Sequence, residues 1–421
     1  MRYIQLKISI LALVFCSCNS ETIACKKEQY GLNKTDIQSA LSKIADKIIN
    51  STNYNFTDTK TGKVYSALNE ILPNTTVKLS SDYSEWQYQN SLICFGMNEF
   101  SKFDKSGIAA KYSSQKVNFM ADNYPFFKKQ RENGMNTTPY PLFFEMKDLW
   151  YCGIAANVVD EYTATKDAKY FPLIQKFENH IFNVQPRQTD GVMIRIDKDR
   201  KVVQSDDAYM AVIFLVRMWK QSGNEKYLNE AVNQTILYHK YLFDSTDKLY
   251  HHVWYTDENR VGGQYWGRGN GWMLLTLVEL LNYLPENHPK RNEILSYYKE
   301  HVEGLSKIQG KDGMWKQVLN VNSAYPESSC TAMFVYCMAK GINKGWLSKD
   351  NFNAVEKGWI GLQQRITANN EIEGVCVATH FSDDLNYYLN RATVNNDRHV
   401  LGSYLLAGVE IVNYLESSVI Y

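Results

Sequence analysis

The sequence predicts an all-α ring of six helical hairpins, an (α/α)6 barrel. Three observations carry the prediction. Apolar residues recur at helical spacing through nearly the whole chain. Helices that are apolar almost all round alternate with amphipathic ones, the pattern of buried and half-buried layers. The residues that open the apolar helices are Trp86, Asp148, Asp206, Arg268, Glu327 and Asp397, which follow one another at steps of roughly 60 residues, as repeated units do. Six hairpins of this length suit closure into a ring, with six inner and six outer helices. If the inner helices run the same way, their N-terminal ends meet on one face, and the residues that open them converge on one cavity.

The elements follow in order. Residues 1–18 read as a secretory signal: Arg2 and Lys7, an apolar run from Ile8 to Phe15, then small residues. The run is too short to span a membrane. Cys16-Ser17-Cys18 resembles a bacterial lipoprotein box with Cys18 lipidated, and cleavage by an ordinary signal peptidase stands as the alternative. The expectation is an exported bacterial protein, periplasmic or held to the membrane only through that lipid. Residues 19–30 read as a linker and 31–421 as one catalytic domain, expected as a monomer. Ile37, Leu41, Ile44 and Ile48 mark the first outer helix. Trp86 and Tyr88 begin the first inner helix. "LWYCGIAANVVDEY" follows Asp148, "AYMAVIFLVRMW" follows Asp206 and Asp207, and "WMLLTLVELLNYL" completes the fourth inner helix. "CTAMFVYCMAKGI" and "GSYLLAGVEIVNYL" supply the fifth and sixth, with His399 just before the last. "AKYFPLIQKFENHIF" and "EKYLNEAVNQTILYHKYLF" are amphipathic outer helices. "GVMIRID" and "KLYHHVWY" suit short extended pieces in the loops of the cavity face.

Composition narrows the function. The 421 residues are 44% hydrophobic and 22% charged, with a net charge of +1 and no long run of one sign. That leaves no basic stripe for nucleic acid. The 29 Tyr, 18 Phe and 9 Trp fit a large core or a carbohydrate site equally. Eight cysteines form no CxxC pair, and Cys94, Cys152, Cys330 and Cys337 fall in apolar stretches, so buried thiols are favoured over disulfides. No GxSxG or P-loop is present, and the His251-His252 pair lacks the surrounding ligands of a metal site. Neither metal nor cofactor is expected.

Asp148 and Asp206 each open an inner helix. A carboxylate there is an ordinary helix cap, but two at equivalent repeat positions could also supply an acid and a base. Asp207 lies about 100° further round the helix, so only one of the pair can face a cavity squarely. "WGRGNGW", Trp266 to Trp272, sets Arg268 between two indoles at the mouth of the fourth inner helix. Arginine binds carboxylates bidentately and stacks on aromatic faces, and glycine lets backbone approach a ligand. A flat, anionic ring is the expected ligand, and a structural helix entry is the bland alternative.

These motifs resemble glycoside hydrolase family 105, the unsaturated rhamnogalacturonyl hydrolases, and the related family 88 unsaturated glucuronyl hydrolases. "WGRGNGW", "DDAYMA", "ESSCTAMFVYCMAKGI" and "NNDRH" carry the match, from about Trp86 to the C-terminus. The resemblance implies an (α/α)6 barrel that removes a 4,5-unsaturated uronic acid from oligosaccharides by hydrating the C4–C5 double bond. Unsaturated galacturonyl-rhamnose fragments of pectin are the expected substrate. It implies Asp206 as the acid that protonates C4, and Asp148 as the second aspartate, on the sugar hydroxyls. Trp86, Tyr88, His252, Trp266, Arg268, Asn270, Trp272 and His399 would line the substrate cleft. Gln204 stands where the family often has an aromatic residue, and Val400 where it has a glycine after the histidine. A conventional glycosidase using Asp148 and Asp206, and a non-catalytic sugar-binding lipoprotein, remain the alternatives.

Overall fold

A computed structural model describes residues 32–72, 75–132, 146, 148–197 and 200–418. The signal and linker, with Cys16, Cys18 and Cys25, lie outside the described residues, as does most of the stretch after Glu132.

The first outer helix, α1 (Lys34–Ser51), is capped by Asn33, whose Oδ1 accepts the Thr35 amide at 2.8 Å. It buries Ile37, Leu41, Ile44, Ala45 and Ile48 on one face. The first inner helix is α2 (Tyr88–Phe100), followed by outer α3 (Ile108–Glu132). Then come inner α4 (Ala155–Thr165), outer α5 (Phe171–Asn179), inner α6 (Ser205–Ser222) and outer α7 (Glu225–Leu242). Inner α8 (Gly267–Tyr283), outer α9 (Arg291–Lys307), inner α10 (Ser328–Asn343) and outer α11 (Phe352–Gln363) continue the series. A short α12 (Leu385–Leu389) precedes the last inner helix, α13 (Arg398–Ser418).

The inner helices pack in the order α2, α4, α6, α8, α10, α13 and back to α2, so the ring closes as the (α/α)6 barrel that the repeat predicts. Apolar surface decides which helices go inside. Every residue of α6 from Ser205 to Met218 is buried, and α8 is buried from Gly267 to Val278. The five described cysteines, Cys94, Cys152, Cys330, Cys337 and Cys376, are buried free thiols. None of the described helices is long and apolar enough to cross a membrane.

Short strands join the helices, among them β1 (Phe56–Asp58), β2 (Val64–Tyr65), β3 (Val77–Leu79), β6 (Phe243–Asp244) and β7 (Leu249–Tyr250). The two expected extended pieces supply β4 (Arg195–Asp197) and β8 (Val253–Tyr255), which with β5 (Arg200–Gln204) and β9 (Arg260–Gly262) form an antiparallel sheet in the order β4-β5-β8-β9. β5 runs without a break into α6, and Gln204 pairs with Val253 of β8. The sheet therefore stands at the N-terminal end of α6.

Candidate active site

The strand-to-helix junction places three functional side chains in consecutive positions, Gln204, Ser205 and Asp206. The Ser205 amide donates to the His252 carbonyl at 3.0 Å, and the His252 amide to the Gln264 carbonyl at 3.1 Å. Sheet pairing thus carries His252 to the start of α6, 47 positions before it in the chain. Here a cavity of about 400 Å3 opens, lined by Gln87, Tyr88, Gln89, Trp150, Arg195, Gln204, Asp206, Met210, Trp266, Ala378, Thr379 and His380. A roomier groove of about 810 Å3 lies between outer helices α1 and α11. The described residues hold no cluster of His, Cys, Asp and Glu arranged for a metal.

Asp206 is asymmetric. Its Oδ2 lies 3.2 Å from the Ser205 hydroxyl, 3.4 Å from the Gln204 amide nitrogen and 3.5 Å from His252 Nε2. The tautomer of His252 follows from its other side. Tyr388 Oη accepts the backbone N–H groups of Ser382 and Gln264, so its own proton goes to His252 Nδ1 at 2.7 Å. Neutral His252 therefore carries its proton on Nε2, toward Asp206. Gly263 makes room for this pair: it sits at φ +67°, and a Cβ there would come within 2.8 Å of Tyr388 Oη and 2.9 Å of His252 Cβ. Burial raises the pKa of Asp206, but the hydrogen bond from His252, with the charges of Arg195 and Arg268, outweighs it and holds the group at about 2. With three donors gathered on Oδ2, Oδ1 is the oxygen that meets the cavity and would carry a proton.

Asp207 faces elsewhere, as the helical turn requires. It is gripped side-on by Arg195 of β4, whose Nη2 and Nε lie 2.5 and 3.3 Å from its two oxygens. Burial pushes the Asp207 pKa up to about 6 against the pull of Arg195, with Asp148 and Asp206 adding to the rise. Asp148 thus joins the site electrostatically, acting on both Asp207 and Arg195 from the start of the short helical turn Leu149–Cys152.

The remaining expected cleft residues divide. Tyr88 and Trp266 line the cavity. Trp86 does not: its ring is stacked on Phe177 of α5 at 5.5 Å, so its apolar face is spent on packing. Trp272 is buried under the site, between Tyr88 (5.8 Å) and Tyr209 (5.1 Å). Asn270 is fully engaged within the protein, accepting the Tyr250 amide at 2.8 Å and donating to the Tyr250 and Trp266 carbonyls. His399 stands behind Tyr88: its Nδ1–H donates to Asp397 at 2.5 Å, and its Nε2 accepts the Tyr88 hydroxyl at 2.8 Å.

Arg268 corrects the reading of "WGRGNGW". It does stack on Trp266, 4.6 Å from the ring centroid. Yet its fork is already taken: Nη1 donates to the Cys376 carbonyl (2.7 Å) and Ser329 Oγ (3.2 Å), and Nη2 to the Val377 carbonyl (2.8 Å). The residue is 1% exposed, so it ties the 375–394 loop to the ring and reaches the site as a charge. The glycines serve helix packing. A Cβ on Gly267 would meet the Lys316 carbonyl at 2.7 Å, on Gly269 Ser205 Oγ at 2.7 Å, and on Gly271 Met333 Sδ at 2.4 Å.

Sequence reasoning missed Arg195, Tyr388, Trp150, Thr379 and His380. Arg195, Thr379 and His380 lie on strands or loops, and Tyr388 on the five-residue α12, where spacing carries no information about which cavity a side chain reaches. Trp150 directly follows Asp148 and Leu149, the one hint of its place.

A model of Glycosyl Hydrolase Family 88 matches residues 60–415. An unsaturated 3S-rhamnoglycuronyl hydrolase of Alteromonas sp. (strain LOR) is 30% identical over 177 residues, 41% of this chain and 43% of that protein. The unsaturated rhamnogalacturonyl hydrolase YesR of Bacillus subtilis (strain 168) is 26% identical over 174 residues, 40% of this chain and 51% of that one. The matched stretch thus spans about half the length of these curated relatives. Among solved structures, a possible member of the GH105 family from Klebsiella pneumoniae superposes with a TM-score of 0.75 at 17% identity, over 98% of this chain and 100% of that one. The unsaturated glucuronyl hydrolase of Bacillus sp. GL1 gives 0.58 at 12% identity, over 92% and 97%. At these identities the likeness establishes the fold.

Proposed function

The chain belongs to glycosyl hydrolase family 88, and from that premise we propose that it removes a 4,5-unsaturated uronic acid from the non-reducing end of oligosaccharides left by polysaccharide lyases. The observation that carries this reading is the asymmetry of Asp206: one oxygen gathers three donors, and the other is left to the cavity beside Tyr88, Trp150 and Trp266. The rings offer flat apolar faces to a sugar.

Its hydrogen-bond partner His252 and the nearby arginines hold Asp206 ionised. Seating an anionic ring against it excludes water and adds a second negative charge, and both effects favour the protonated acid. Oδ1 then delivers its proton to C4. The ring oxygen supports the positive charge that develops at C5, and water adds there, returning a proton to Asp206. The hemiketal so formed opens and releases the next sugar with its glycosidic oxygen. His252, held by Tyr388, fixes the orientation of Asp206 throughout. Asp148, through its charge on Arg195 and Asp207, adds to the negative field behind Asp206. Rhamnose-containing uronide fragments are the favoured substrates, because the names of the Alteromonas and Bacillus relatives both carry rhamnose and a uronide, and the galacturonyl unit in the name of YesR supports unsaturated galacturonyl-rhamnose from pectin among them.

Lyase-digested rhamnogalacturonan, ulvan and heparinoid fragments test the reading together. The protein should remove the ultraviolet absorbance of the double bond, and Asp206→Asn should lose that activity while keeping its fold. In heavy-oxygen water the label should enter C5 of the released keto acid. Label at C1 would instead mark a conventional glycosidase, which places water on the anomeric carbon.

A further inference from the structure

Among the described residues that line the cavity, one permanent cation has a hand free. That cation is Arg195, whose side chain is 12% exposed against 1% for its partner Asp207. Nε and Nη2 are spent on Asp207. Nη1 donates to no described residue, and it is not sealed off as the Nε of Arg268 is. The other basic side chains near the site are spent on protein groups or lie off the cavity wall. Arg268 gives both terminal nitrogens to protein groups. His380 sits at the rim, half exposed, 2.8 Å from Asp197. Arg391 donates to the Ala378 carbonyl and Thr379 and is not among the residues that line the cavity.

We propose that Arg195, through Nη1, binds the carboxylate of the substrate's unsaturated ring, with Asp207 as the residue that positions the guanidinium. This rests on the function proposed above, and it moves the carboxylate contact from Arg268 to a residue on the β4 strand. The geometry links recognition to chemistry. Asp207 follows Asp206 directly on the first turn of α6, so the cation it holds is tied to the acid by one peptide unit. In the substrate the carboxylate sits on C5, and C4 is the next ring atom. Anchoring the carboxylate beside Asp206 therefore presents C4 to Oδ1. The side-on grip on Asp207 suits this use, because a guanidinium can take one carboxylate along its Nε edge and still donate to another from Nη1.

The test compares an unsaturated uronide disaccharide with its C6 carboxamide, which keeps shape and double bond but loses the charge. Wild-type protein should prefer the acid in kcat/KM by about 10- to 100-fold, the value of a charge-assisted hydrogen bond. Replacing Arg195 alone would strand a buried carboxylate, so the variant is Arg195→Gln combined with Asp207→Asn, with folding checked by circular dichroism. In that pair the preference should collapse to about threefold or less, mostly through KM, whereas Arg268→Lys should keep it. A pair variant that retains the full preference, or an Arg268→Lys protein that loses it while folded, overturns the assignment. If wild-type protein turns over neither compound, the proposed reaction fails by itself. The assignment is then decided by calorimetric affinity of the two compounds for wild-type protein and the pair variant, and equal loss of affinity for both would sink it.

Discussion

Two adjacent aspartates on one helical turn have opposite chemistry here, and the cause is what each touches. Asp206 is held at about 2 by His252 and the nearby arginines, whereas burial pushes Asp207 up to about 6. The signs of the pH effects differ accordingly. Asp207 in the folded protein keeps its proton above the value of 3.8 that it has when free. Its contribution to stability is full below that value and is lost as pH rises through 6. Asp206 contributes stability above 3.8 that is lost as pH falls toward 2. Asp207→Asn should therefore flatten the decline in unfolding free energy between pH 4 and 6.5, by about 2–3 kcal/mol for a shift of about two units. Denaturant titrations of wild type and variant across that range check it, and parallel curves would show that Asp207 is not the group responsible.

Between elements, polar clamps hold the inner helices at the ends away from the cavity. Arg217 on α6, 8% exposed, donates to Asp160 of α4 at 2.9 Å and Glu279 of α8 at 3.1 Å, and its guanidinium lies 4.3 Å from the Phe95 ring of α2. One side chain thus ties four inner helices. Lys340 and Asn343 of α10 similarly meet Glu410 of α13. Removing one partner of a buried pair leaves the other charged and unsolvated, which typically costs about 3–5 kcal/mol. Arg217→Met should lower stability by that order. The combination with Glu279→Gln should recover part of it, since the orphaned carboxylate is gone. Equal losses in the single and double variants would show that Arg217 acts by packing and not by pairing.

The whole ring depends on its closing seam, where the last inner helix meets the first. Gly402 of α13 lies so close to α2 that a Cβ would fall 2.2 Å from the Leu92 carbonyl carbon and 2.3 Å from its oxygen. Gly96 faces the same seam, with the Gly402 carbonyl at 2.8 Å from its would-be Cβ. Backbone cannot step aside as a side-chain tip can. Gly402→Ala should therefore cost about 3 kcal/mol or more, at the upper end of overpacking effects. Gly271→Ala, which meets the flexible Met333 side chain, should cost less. Comparing the two unfolding midpoints tests whether the seam, rather than helix crowding in general, limits closure.

The sequence by itself determined the architecture of this protein. Apolar periodicity is a local property, and repeated about every 60 residues it already implies stacked hairpins and a shared end. It also placed Asp206, Tyr88 and Trp266 at that end, because each lies on or beside a helix start whose position the pattern marks. Tertiary structure decided which side chains remain available there. Arg268 looked like the carboxylate fork, but carbonyls from residues more than a hundred positions away occupy it. Asn270 and Trp86 went the same way, into a strand-pairing contact and a stacked ring. Arg195 was passed over inside the short extended piece "GVMIRID", and only the β4–β5 pairing and its grip on Asp207 bring it to the cavity. The physical reason is common to all four. A residue's type and spacing fix what it can bind, while the hydrogen bonds and ring contacts it has already made, set by distant backbone, fix what it has left to offer.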